Sequence, residues 1–109
     1  MTYQEVAQMV EEIGLPFEYY QFDDKTGQQP PFVVFYYPEI DDLYADDENY
    51  QRITALTIEL YTDNKDFLLE STVEGVLKEH HITYTKNEAY IPEEEMYEVA
   101  YDMEVIING

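Results

Sequence analysis

Side chains that could attack, coordinate or shuttle protons are few in this chain and badly placed for the work. Its one serine, Ser71, sits in the run Leu-Glu-Ser-Thr-Val, without the flanking glycines of a nucleophile elbow. The only histidines, His80 and His81, are adjacent at the end of a predicted helix. Neighbours on a helix do not face one another, so they make a poor metal pair. A helix C-terminus favours cationic or hydrogen-bonding side chains, which accounts for both. There is no cysteine, hence no disulfide framework, no zinc–thiolate site and no thiol nucleophile. Glycines 14, 27, 75 and 109 are scattered, so no phosphate-cradling loop exists. Carboxylates are abundant, 25 in 109 residues, and at that density close pairs arise by chance and carry no specificity for acid–base chemistry. The expectation is a protein that is not an enzyme and holds no cofactor.

The densest acidic segment, residues 39–49, contains Glu39, Asp41, Asp42, Asp46, Asp47 and Glu48 with no basic residue. An EF-hand loop begun at Asp41 meets Leu43 and Ala45 where oxygen ligands belong. Begun at Asp42, it meets Tyr44 at the third place, Asp47 in place of glycine and Ile53 in place of the bidentate glutamate. The calcium motif fails, which leaves a charged loop whose use would be the charge itself.

Charge also sets the partners. Five Lys and Arg against 25 Asp and Glu give a net charge of −20. Such a surface repels phosphate backbones and anionic membranes, which argues against specific nucleic-acid binding and membrane docking. No apolar run is long enough to span a bilayer, and Met-Thr-Tyr-Gln-Glu does not read as a secretory leader, so a cytoplasmic protein is expected. Self-repulsion at this charge predicts a melting temperature that rises with added salt.

The elements that must position these groups follow from periodicity. One domain is expected at this length. Thr2 and Glu5 form a capping box, Val6, Met9, Val10 and Ile13 make one helical stripe, and Gly14 with Pro16 ends it. Residues 17–22 read as a short aromatic strand and 23–31 as a turn. Residues 32–37, Phe-Val-Val-Phe-Tyr-Tyr, read as a strand with more apolar side chains than one face can use. Phe32, Phe35, Tyr36 and Tyr37 are therefore candidate interface aromatics. Residues 50–62 alternate, with Leu56, Ile58 and Leu60 on one face and Ile53, Ala55, Thr57, Glu59 and Tyr61 on the other. A second helix, capped by Asp63-Asn64, is predicted over about 65–80, with Leu69, Val73, Val76 and Leu77 on its stripe and Leu68 beside it. Ile82 to Thr85 and Ala89 to Ile91 read as short strands parted by a turn at Lys86-Asn87, and Pro92 to Glu95 as an acidic turn. The last strand alternates core residues from Tyr97 to Ile107 with a mostly acidic face. The order α-β-β-β-α-β-β predicts an α+β fold: a mostly antiparallel sheet with two helices on one side.

The helix opening, the PFVVFYYPE strand, YQRITALTIELYTDNKD and VEGVLKEHHITYTKNEAYIPEEEMYEVAYDMEVII together resemble the small tail-completion proteins of long-tailed bacteriophages and prophages of Gram-positive bacteria. These are also called tail terminator or tail-to-head joining proteins. The resemblance runs from Tyr3 to Ile107 and is most characteristic at IELYTDNKD. It implies a structural protein that caps the tail tube as a ring, typically a hexamer. Its partners would be other copies of itself, the tail tube protein and the head–tail connector. It would sit in the host cytoplasm during assembly and afterwards in the tail or neck of the virion. A negatively charged wall suits a conduit for DNA, which gives Glu39, Asp41, Asp42, Asp46, Asp47 and Glu48 a use if their loop lines the channel. Mutual repulsion permits the isolated protein to stay monomeric until a tube end organises it. The alternative is an acidic DNA mimic that inhibits a host DNA-binding protein.

Overall fold

The computed structural model describes residues 1–21, 27–38 and 52–108. Helix α1 (Tyr3–Glu11) opens on the expected capping box: Glu5 N–H donates to Thr2 Oγ1 at 3.1 Å, and Thr2 N–H donates to Glu5 Oε1 at 2.8 Å. The turn that follows it closes at Gly14, whose φ of +87° suits a residue without a Cβ. Val6, Met9, Val10 and Ile13 are all buried, as their spacing requires.

Strands β1 (Phe17–Tyr19), β2 (Phe32–Tyr36), β3 (Arg52–Thr62), β4 (Tyr84–Ile91) and β5 (Met96–Ile107) form one sheet in the order β1-β2-β3-β5-β4. Pairing is antiparallel except between β1 and β2, which run parallel in the register Phe17–Val33. Helix α2 (Phe67–Glu79) links β3 to β4, and the architecture is the expected α+β fold.

Both helices pack on one face. That inner face presents Val33 and Phe35 from β2, Leu56, Ile58 and Leu60 from β3, and Val99, Tyr101, Met103, Val105 and Ile107 from β5. Burying each large aliphatic side chain there contributes about 1.5–3 kcal/mol. The longest pairing, Arg52–Ile107 through Thr62–Tyr97, fixes which side chains share the outer face. No helix among the described residues covers that outer face, and none is long and apolar enough to cross a membrane.

Three boundaries differ from expectation. The N-cap of α2 is Asp66, whose Oδ1 accepts from Leu69 N–H at 3.0 Å, so the helix starts later than Asp63-Asn64 implied. Strand β4 is continuous, and Lys86-Asn87 is not a turn: Lys86 is held at mid-strand by ion pairs to Glu70 and Glu74 of α2. Strand β1 is only three residues long. At the other end of α2, Ile82 N–H donates to Leu77 O and His81 N–H to Lys78 O, closing a Schellman motif. His81 occupies its left-handed position at φ +60°, where glycine is usual.

Candidate functional site

Alternation along strands β1, β3 and β5 concentrates acids on the outer face. Its strand positions include Glu18 on β1, Glu59 on β3, and Glu98, Asp102 and Glu104 on β5. None of the described strand positions on that face is Lys or Arg. Glu59 lies opposite Val34 on one side and Ala100 on the other, which sets it diagonally between Glu98 and Asp102.

Tyrosines bridge these carboxylates. Tyr36 Oη donates to Glu59 Oε2 at 2.9 Å, and Tyr61 Oη lies 2.8 Å from both Glu59 Oε1 and Glu98 Oε2. Beside them Thr57 Oγ1 donates to Asp102 Oδ1 at 2.7 Å. A phenol has one proton, so Tyr61 can donate to only one of its two carboxylates at a time. The other contact is filled when a carboxyl carries a proton and donates to the tyrosine oxygen. Glu59 is the group disposed to take it up. Partial burial raises its pKa, hydrogen bonds from Tyr61 and Tyr36 only partly offset that, and the charges of Glu98 and Asp102 add to the rise. Burial and the Glu59 carboxylate likewise push Tyr36 up to about 12. Tyr61 is raised further by burial and by hydrogen bonding to Glu98 and Glu59, so both phenols stay protonated at neutral pH.

Aromatic rings flank the cluster. Phe32 stacks on Tyr61 with centroids 5.0 Å apart, and Tyr20 meets Tyr36 edge-on at 5.9 Å. Of the four candidate interface aromatics, Phe32 and Tyr36 therefore lie on the outer face, half-buried. Phe35 points the other way and is a core residue against Phe17 and Tyr19, so an interface role for it is corrected: strand alternation puts it under the helices. Tyr37 is half-buried beside Tyr3 and Tyr19, and burial pushes its hydroxyl up to about 12. The acidic loop residues Glu39, Asp41, Asp42, Asp46, Asp47 and Glu48 lie outside the described residues.

A second charged cluster lies on the inner side, where α2 meets β4. Glu70 is 3% exposed and takes Lys65 at 2.7 Å and Lys86 at 2.8 Å. Lys65 also pairs with Glu88. Glu74 pairs with Lys86 at 2.7 Å and accepts from the buried Tyr101 hydroxyl at 2.8 Å. Burial alone would raise Glu70 and Glu74, but hydrogen bonds from the lysines, and for Glu74 from Tyr101, outweigh it and hold both below the usual carboxylate range.

The chemistry-bearing residues singled out from the sequence remain apart. His80 contacts Glu12 at the end of α1, 3.0 Å away. Ser71, Lys78 and His81 line an open groove of about 710 Å³ between α2 and the approach to β4, and Ser71 makes no hydrogen bond to either histidine. Among the described residues no group of three or more His, Cys, Asp or Glu has the spacing to hold a metal ion.

Sequence reading saw the acidic alternation of β5 but missed the cluster with Tyr36, Glu59 and Tyr61. The signal available was Glu59 lying between Thr57 and Tyr61 on one strand face; the missing quantity was the β3–β5 register. No protein-family model and no curated protein matches this sequence.

Proposed function

We propose that this chain is a non-enzymatic structural protein of a long-tailed bacteriophage or prophage. In this reading it caps the tail tube as a ring, a hexamer by family resemblance, and joins it to the head connector. The observation that carries the proposal is the cation-poor outer face, with Glu18, Glu59, Glu98, Asp102 and Glu104 on a rigid sheet. Carboxylates arrayed on strands present a fixed negative field, and DNA moving past such a wall finds no counter-charge to hold it. The acids of residues 39–48 belong to the same proposal as a further part of that wall, and Phe32 and Tyr36 supply amphipathic contact area at its margin.

The test is immunogold electron microscopy of particles induced from the strain that encodes the chain, with antibody raised against it. Gold at the head–tail junction is the expected result. Unlabelled particles whose digests contain no peptide of this chain would overturn the proposal.

One feature favours a second reading. Glu98, Asp102 and Glu104 form a row along a single strand, an arrangement that an acidic mimic of DNA would offer to a basic protein. Such a mimic would stay out of particles and would bind a host DNA-binding protein with steep salt dependence.

A further inference from the structure

The sheet has two edges of very different character. β1 is three residues long, whereas β4 runs for eight residues, and Thr85 to Tyr90 are all exposed, so no element among the described residues covers that edge. A long uncovered edge presents a row of backbone donors and acceptors to any strand that can lie beside it.

We propose that β4 pairs antiparallel with β4 of a second copy, two-fold symmetric about Asn87. This inference is independent of the tail-completion reading: a two-fold β4 contact closes a dimer, whereas the proposed ring requires a head-to-tail contact elsewhere on the surface. The sequence Tyr-Thr-Lys-Asn-Glu-Ala-Tyr-Ile is self-complementary in that register. Lys86 falls opposite Glu88 of the second copy, Tyr84 opposite its Tyr90, Thr85 opposite its Ala89, and Asn87 opposite itself. Directly opposed residues share a face, so the charge and aromatic pairs lie on the helix side in both copies, and Thr85, Asn87 and Ala89 lie on the outer side. Centring the axis on Lys86 or Glu88 instead would set like charges against each other. Only the Asn87 register brings opposite charges together while keeping the helices of both copies on one side.

Local charge supports a second copy as the occupant. The chain carries −20, and a partner copy must approach where repulsion is weakest. Lys65, Lys86, Glu70, Glu74 and Glu88 gather beside β4, with each lysine ion-paired, so the edge is far closer to neutral than the outer face. Inward-pointing lysines often protect sheet edges by leaving a charge that a neighbour would bury. Lys86 cannot serve that way, because Glu70 and Glu74 already neutralise it. The product is two five-stranded sheets joined edge to edge.

The experiment uses the full chain. Sedimentation equilibrium at about 0.5 M NaCl, where screening is strong, should give a concentration-dependent monomer–dimer equilibrium. Because the chain has no cysteine, single-cysteine variants report the register. Asn87→Cys should form a disulfide-linked dimer on mild oxidation. Thr85→Cys and Ala89→Cys should each fail to link alone and should link when mixed. A monomer at every concentration, an assembly larger than a dimer, or cross-linking by Thr85→Cys alone equal to that of Asn87→Cys would overturn the proposal. The unmodified chain's sedimentation decides the matter even if a variant fails to fold.

Discussion

Glu70 and Glu59 are both glutamates drawn partly or wholly out of water, and the sheet separates them. On the inner side Glu70 meets Lys65 and Lys86, and its pKa falls. On the outer side burial raises the pKa of Glu59, the negative charges of Glu98 and Asp102 add to the rise, and the hydrogen bonds from Tyr61 and Tyr36 offset it only in part. The chain places its few cations unevenly. Two of the five basic residues neutralise the carboxylates that packing buries, and the described strand positions of the outer face include no Lys or Arg, an arrangement that carries some cost in stability. Stability alone would not select that outer arrangement, which is the physical reason to assign it a function.

The largest effect is expected at Glu70. Replacing it by Ala leaves Lys65 and Lys86 without their shared anion. Because both ammonium groups reach water, the expected loss is about 2–3 kcal/mol in urea unfolding, below that of a fully buried pair. At Tyr101, whose hydroxyl donates to Glu74 from a fully buried position, Tyr101→Phe should cost about 1–2 kcal/mol. Its outer counterpart Tyr61→Phe should cost about 1 kcal/mol at neutral pH, since Glu59 and Glu98 are within reach of solvent. Equal costs for the two tyrosines would erase the inner–outer distinction.

The pH profile sharpens the contrast because the two sides have opposite signs. Glu59, raised in the folded state, contributes stability that is full below its unfolded value of 4.5 and is lost as pH rises through its folded value. Glu70 and Glu74, depressed in the folded state, contribute stability above 4.5 that is lost as pH falls through their folded values. Stability should therefore increase as pH is lowered from neutrality toward 4.5 and fall at more acid pH. Glu59→Gln should be more stable than the native chain at neutral pH and should flatten the first limb only. Denaturation at a series of pH values reads both limbs. The smallest effect is expected at His81→Gly, which relieves the left-handed residue of the Schellman motif. It should add up to about 1 kcal/mol.

Much of the fold was legible because its signals are local. The Thr2–Glu5 box, the Val6-Met9-Val10-Ile13 stripe and the alternation of residues 52–62 and 96–107 each specify an element without outside help. The misread places depend on distant partners. Lys86-Asn87 has turn-forming composition, and its pairing with Tyr101 and Ala100 of β5, together with ion pairs to carboxylates of α2 twelve and sixteen residues upstream of Lys86, keeps it extended. Asp63 and Asn64 are as good N-cap residues as Asp66, and the difference lies in how far β3 extends, to Thr62, before the chain turns. Phe35 and Tyr36 are equally aromatic, and only the strand's phase against the helices decides which of them is core. The outer-face cluster was half legible: the acids of β5 stand in the sequence, but their meeting with Glu59 and Tyr61 is a property of register.

The most direct test of the central claim, that the outer face is kept acidic for function, is complementation of a particle-forming strain lacking this chain with the variant Glu59→Gln, Glu98→Gln and Asp102→Asn. The variant should be at least as stable as the native chain and give normal numbers of joined particles, with impaired release of DNA and a fall in infectious titre. Full infectivity from that variant, with its altered charge verified by mass spectrometry, would contradict it.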